Sequence, residues 1–239
     1  KRVEEISRLN SISNKLSTLN FHHFDNLQSL FEHICKETAI GLNIDRVSIW
    51  ENTEEKITLE NIYVQHEDKH YADLTLNKND FKNYFQAIAK DPLVIASDVY
   101  QNNDLIDFAH EYFPKYNIKS LLDIPIYISG KLKAILCLEA TNEIKYWSTE
   151  DINFAKTIGD IIALTIETTK RRRAESQIVY KNEILTAIAN VTSNLLVHKD
   201  KNQIFDTSIE QIGKVLKVDR LYYFENDSKT NLVSQRFEW

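Results

Sequence analysis

The sequence predicts an α+β fold: an antiparallel central sheet flanked by helices, with a long linker helix running out of it. Three observations carry that expectation. The segment DRVSIWEN at 45–52 returns as DRLYYFEN at 219–226, each time after an amphipathic helical stretch and before a polar turn and a second strand-like run. The stretch SLLDIPIYISGKLKAILCLEAT (120–141) reads as two almost continuously apolar strands around a turn at Ser129 and Gly130, which predicts a hairpin covered on both faces. No Gly or Pro stands between Gly159 and Gly213, and helical periodicity runs from the STED capping pattern at 148–151 to about Leu196.

The elements follow in order. The opening KRVEEISRLNSISNKLSTL carries a helical stripe at Val3, Ile6, Leu9, Ile12, Leu16 and Leu19, as if a linker entered from upstream. LFEHICKETAIGLNI (30–44) has Leu30, Phe31, Ile34, Ala39 and Leu42 at helical spacing, and IFDTSIEQIGKVLKV (204–218) has Ile204, Phe205, Ile209, Ile212 and Leu216 at the same offset. That offset is constant, since 219 − 45 and 226 − 52 both give 174. A period so much longer than the roughly 20–50 residues of solenoid repeats implies tandem globular domains. Between the copies, 71–91 begins as a strand and passes into a helix whose Phe81, Phe85 and Ile88 share a face. PLVIASDVY (92–100) reads as a strand or extended loop, and DLIDFAHEYFPKY (104–116) as a short helix ended by Pro114. In the long helix, Ile178, Leu185 and Thr192 fall seven apart and Lys181, Ile188 and Leu195 form a second seam. This coiled-coil-like pattern predicts a parallel homodimer through the linker helices; the alternative is one amphipathic helix packed on its own domain. The expected organisation is an upstream linker helix at 1–19, a domain at 20–168, a coiled-coil-like linker at 169–196, and the N-terminal part of a second domain at 197–239.

Composition narrows the function. The chain has 239 residues, 43% apolar and 27% charged, as expected of a core-forming protein of one or two domains. A net charge of −6 argues against a nucleic-acid surface, and the one basic run, KRRR at 170–173, lies in a helical pattern as a solvated face. No signal peptide or membrane span is visible, which predicts a cytoplasmic piece with no membrane contact of its own, whose parent could still hold a membrane segment elsewhere. The absence of Met and the start at Lys1 suggest an excised internal piece of something longer. Cys35 and Cys137 have no framework spacing and read as reduced, buried small hydrophobes.

With DRVSIWEN, ASDVYQNNDL (96–105), the 120–141 hairpin and WSTEDINFAKTIGDIIALTIE (147–167), this order of elements resembles a GAF domain over roughly residues 20–168, and 200–239 resembles the start of a second. Asp98, Val99, Ser120, Leu122, Pro125, Gly130 and Leu136 match the family pattern; Ala134 departs from it, where many members carry Gly. The resemblance implies a GAF-like α+β fold and a sensory or regulatory module of a bacterial signalling protein, such as a sensor histidine kinase or nucleotide cyclase. Such a module binds a small molecule between sheet and connecting helices and relays the change through dimeric helices to an output domain. The alternative is a ligand-free dimerisation and relay module.

The ligand-facing residues implied are Trp50, Asp98, Tyr100, Phe108, Tyr112 and Ser120, although core packing is the competing reading for the aromatics and turn capping for Asp98. Which ligand or cofactor is held stays open. The cyclic-nucleotide pattern of the family is missing, because this chain offers Asn142-Glu143, Trp147 and Asp151-Ile152 where Lys, Phe and Glu would stand. Cys137, inside a strand, is poorly placed for a bilin thioether, and His110 is the one tempting haem ligand. HEDKH at 66–70 fits the zinc-protease pattern, yet it follows a strand-like run instead of opening a helix and has no third ligand in place. No catalytic constellation is evident, and the chain reads as a non-enzyme.

Overall fold

The structure, a computed structural model, describes residues 2–18, 24, 26–197, 201–227 and 229–239. Leu19 of the opening stripe and the side chains of Leu195 and Ile204 lie outside what is described. The chain divides into two compact units, 1–169 and 170–239.

The first unit opens with α1 (Arg2–Ser17) and α2 (Leu27–Leu42). Asn26 caps α2 by accepting a hydrogen bond from the Ser29 N–H at 2.9 Å, and Asn43 ends it in the left-handed region at φ 49°. There follow β1 (Arg46–Asn52), β2 (Lys56–Val64), β3 (Lys69–Tyr71) and β4 (Thr75–Asn77), then α3 (Lys82–Lys90) and β5 (Val94–Ala96). After 3₁₀ turns at Val99–Gln101 and Asn103–Phe108 come α4 (Tyr112–Tyr116), β6 (Ile118–Ile128), β7 (Lys131–Thr141) and the long α5 (Thr149–Val197). The sheet is antiparallel throughout, in the order β3-β2-β1-β7-β6-β5, with β4 also paired to β2.

The expected hairpin is β6–β7. Its two-residue loop has Ser129 at φ 51° and Gly130 at φ 73°, the positive-φ pair that matches the twist of flanking strands. Pro125 lies beyond the last β5 pairing, at Asp123, on an open edge where a residue without an N–H is tolerated. The STED pattern folds as a reciprocal cap on α5: Ser148 Oγ accepts from Asp151 N–H, and Asp151 Oδ2 accepts from Ser148 N–H, both at 3.1 Å. One expectation is corrected. Pro114 does not end a helix over 104–116; that segment is a 3₁₀ stretch followed by α4, and Pro114 sits in the first turn of α4, where its missing N–H would have had no helical partner.

Each face of the sheet has its own core. On one, Val47, Ile49, Leu122, Ile124, Leu136 and Leu138 meet α2 and α5 through Phe31, Ile34, Phe154, Ile158 and Ile162, and Leu9 and Leu16 of α1 join them. Close approach is enforced by Gly159, where an added Cβ would stand 2.9 Å from Ile124 Cγ2. On the other face, Trp50, Ile57, Leu59, Leu121 and Ile135 meet α3, the 3₁₀ turns and α4 through Tyr84, Ile88, Leu105, Phe108 and Phe113.

The second unit contains the distal part of α5, α6 (Lys201–Leu216), β8 (Tyr222–Asp227) and β9 (Leu232–Glu238). Here the 174-residue repeat is visible in backbone detail. Asn43 and Lys217 are both left-handed after their helices, Ile44 N–H to Ala39 C=O (3.1 Å) has its counterpart in Val218 N–H to Gly213 C=O (3.3 Å), and the bulge between Ile49 and Trp50 returns between Tyr223 and Phe224. Phe205 stacks on Tyr223 and Phe237 at 4.9 and 5.3 Å, and Trp239 lies so close to Gly213 that an added Cβ would meet its ring at 2.1 Å. Among the described residues β8 pairs with β9 alone, whereas β1, its counterpart, has strands on both sides.

Candidate functional site

The face under α3 and α4 differs from an ordinary core in holding ionisable groups. Strand alternation puts Asp123 of β6 and Cys137 of β7 directly opposite one another, on the same face as Trp50, Leu121, Ile135 and Glu139. The short segments above supply Tyr84, Phe108, Tyr112 and Phe113. Asp107 helps to hold α3 there: its Oδ2 accepts from the Asn83 N–H at 2.8 Å, a cap that no residue of the helix's own N-terminus provides. Phe108 is the hub, with Phe81 stacked at 4.5 Å, Tyr84 edge-on at 5.1 Å and Tyr112 at 5.7 Å.

These groups enclose a cavity of about 30 Å³. Such a volume has room for one or two waters. Its walls are Trp50, Tyr84, Phe108, Tyr112 and Phe113 with Ile57, Leu76, Leu121 and Ile135, and its polar groups are Asp123, Cys137 and Glu139. Leu76 and Tyr112 also border a more open cleft of about 440 Å³, so these two side chains stand between cavity and solvent.

The electrostatics of the cavity are uneven. Glu139 is paired with Arg46, Nε to Oε2 at 2.8 Å, and the Arg46 guanidinium lies 4.4 Å over the Tyr116 ring. Burial works against the Arg46 charge, but Glu139 and Tyr112 outweigh it and hold the guanidinium protonated. Among the described residues Asp123 has no such cation. Tyr84 OH donates to its Oδ2, while Oδ1 lacks a hydrogen-bond partner of normal geometry; the adjacent Cys137 thiol offers only a weak S–H. Burial pushes the Asp123 carboxyl up to about 7; Glu139 adds to the rise, and hydrogen bonds from Tyr84 and Cys137 oppose it. The Cys137 thiol is driven well above its ordinary value by burial and by the Asp123 and Glu139 carboxylates, so it is no ready nucleophile.

Of the residues expected to face a ligand, Trp50, Phe108 and Tyr112 line this cavity. Asp98, Tyr100 and Ser120 stand elsewhere. Asp98 caps the 3₁₀ turn, accepting from the Tyr100 N–H at 3.0 Å and the Gln101 side chain at 2.9 Å. Tyr100 is half exposed with its ring edge toward Phe113, 6.1 Å away. Ser120, fully buried, ties two loops together by donating to Ser97 C=O at 2.5 Å and accepting from the Lys145 N–H at 2.7 Å. Sequence reasoning missed Tyr84, Asp123 and Glu139, and it took Cys137 for a buried small hydrophobe without placing it beside a carboxyl. The available signal was a carboxylate inside each of two otherwise apolar strands, LLDIPIY and ILCLEA.

The other motifs land harmlessly. His66 lies in the β2–β3 turn and His70 in β3, so HEDKH forms no helix, and His110 is exposed in a turn before α4. Among the described residues no helix is long and apolar enough to cross a membrane.

A family model described as GAF domain matches residues 26–166. The methanogenesis regulatory histidine kinase FilI of Methanothrix harundinacea is 31% identical over 81 residues, which cover 33% of this chain and 9% of that protein. Among solved structures, the phycocyanobilin-bound GAF domain from a cyanobacterial phytochrome is similar at TM-score 0.59 with 15% identity, covering 69% of this chain and 96% of that one. The GAF domain from a phosphoenolpyruvate-protein phosphotransferase of Coxiella burnetii is similar at TM-score 0.55 with 16% identity, covering 71% and 96%.

Proposed function

This chain belongs to the GAF domain family, and from that premise we propose that residues 20–168 form a sensory module that binds a small molecule in the cavity beneath α3 and α4. The observation that carries the reading is the cavity itself: a polar cluster at Asp123 closed off by short, loop-linked segments. Rigid strands position the polar groups, and the segments over them can open at little cost. Trp50, Phe108 and Tyr112 are the proposed contacts, while Asp98 and Ser120 fix the loops around the β5 end and Tyr100 packs beside them.

The signal is proposed to leave along α5, continuous from the sheet at Phe154 to Val197. Ile178, Leu185 and Ile188 remain exposed there at heptad spacing, an apolar seam that a second copy would cover in a parallel, cytoplasmic homodimer. A longer signalling protein, of the sensor histidine kinase or nucleotide cyclase kind, would supply the output, and residues 197–239 would open a second GAF-like domain. The partial similarity to a histidine kinase and the backbone repeat around Lys217 and Tyr223 support this.

Native mass spectrometry of the purified chain, beside the same sample denatured, tests both parts. A dimer carrying extra mass that is released on denaturation is the expected result. A dimer with no added mass, even after incubation with a cell extract, would favour a ligand-free relay. A monomer would sink the helical spine.

A further inference from the structure

The cavity is built for one sign of charge. Asp123 is 1% exposed, lines a space walled by Trp50, Tyr84, Phe108 and Tyr112, and among the described residues its Oδ1 has no hydrogen-bond partner of normal geometry. The other carboxylate of the cavity, Glu139, already has Arg46, which leaves Asp123 as the cavity acid without a counter-charge among the described residues. The cleft outside repeats the pattern, since its border carries Asp80, Asp107 and Glu111 against a single Lys115. An anionic ligand would be repelled from both compartments, and a neutral one would draw nothing from the acidic cleft or from an ionised Asp123. A cation would meet a carboxylate within a wall of aromatic side chains, the combination of charge and rings that recognises ammonium groups in proteins.

We infer that this site takes a small organic ammonium: its charged head beside Asp123 among the aromatic rings, its apolar tail passing between Leu76 and Tyr112 toward the acidic cleft. This deepens the proposed function and rests on that reading. The cavity of about 30 Å³ suits a primary or singly methylated ammonium head and no larger group without rearrangement, while the cleft of about 440 Å³ accommodates the body of the ligand. Recognition carries a proton with it. The groups facing Asp123 are Tyr84 from α3, Tyr112 from α4, Cys137 and Glu139 from β7, and Arg46 from β1 through Glu139. Arg46 stays charged and the tyrosines and thiol stay neutral, so Asp123 is the group that gives up a proton when the cation arrives. Affinity therefore rises as pH rises toward about 7 and levels above it.

Isothermal titration of the 239-residue chain with n-butylammonium, n-butanol and n-butyrate, three probes of equal length and different charge, tests the inference. The expected result is ammonium binding at least tenfold tighter than either control, weakening about tenfold per pH unit below pH 7. Asp123→Asn is expected to bring the ammonium down to the level of the alcohol. Its thermal melt, unchanged or raised at pH 8, would show that the loss is not unfolding. Should that variant fail to fold, the wild-type pH series stands alone, and a flat series overturns the inference. Equal binding of alcohol and ammonium removes the charge preference but leaves a small-molecule pocket in place. Binding by none of the three also overturns the inference, and the pocket reading is then judged separately by the native-mass experiment.

Discussion

The two faces of the sheet in residues 1–169 are made from the same strands and do opposite things. Under α2 and α5, Leu122, Ile124, Leu136 and Leu138 meet long helices in a core of aliphatic and aromatic groups, with helix and strand in near contact at Gly159. Across the sheet, Leu121, Asp123, Ile135 and Cys137 meet short segments, and the packing leaves a cavity with a carboxyl in it. Alternation along β6 alone separates the two: Leu122 and Ile124 point one way, Leu121 and Asp123 the other. The lesson is a division of labour within single strands. One side is packed against long helices, and the other holds the buried carboxyls Asp123 and Glu139 beneath short segments.

Mutation can break or sharpen this contrast. The largest effect is expected from Phe31→Ala in α2, 2% exposed, which should cost about 3–5 kcal/mol by chemical denaturation. Phe108→Ala on the cavity side should cost less, about 2–3 kcal/mol, because the short segments over it can relax inward. Equal losses would erase the distinction between the faces. Next comes pH. Folding raises the Asp123 carboxyl from 3.8 to about 7, so between those values the unfolded chain is ionised there while the folded chain keeps its proton. Stability contributed by Asp123 is complete below about pH 4 and falls as pH rises toward 7, by up to about 1.4 kcal/mol per unit. Asp123→Asn should flatten that decline in melts taken across the range; an unaltered slope would mean that the carboxyl is solvated. Ser120→Ala, which strands the Lys145 N–H, is expected to cost about 1–2 kcal/mol. Smallest is Arg171→Ala, which removes an exposed pair with Glu175 on α5 and should stay within about 0.5 kcal/mol of wild type.

Much of the architecture was legible. The STED cap, the Ser129–Gly130 turn and the helix leading into DRVSIWEN rest on local chemistry, where a few adjacent residues decide the conformation. Pro114 is ambiguous in sequence because the same residue is tolerated in a helix's first turn and excluded from its interior, and sequence alone does not place the start of α4. The candidate site was half legible. Trp50, Phe108 and Tyr112 stood out as large aromatics, whereas Tyr84, Asp123 and Glu139 belong to elements scattered from α3 to β7. Asp98 takes the turn-capping alternative that its sequence context offers, and Ser120, matched to the family pattern, ties loops by hydrogen bonds instead of lining the cavity.

The sequence by itself determined the periodic elements, their caps and turns, and the 174-residue repeat, because these depend on interactions between near neighbours or on direct likeness of the letters. Only the tertiary structure decided which face of β6 and β7 would be closed by long helices and which by short ones. With that it decided that Glu139 would find Arg46, 93 residues away along the chain, while Asp123 would find no cation among the described residues. Pairing of buried charges is a property of distance in space, and it decides which carboxylate in an apolar strand is tied into an ion pair and which keeps its charge uncompensated or its proton bound.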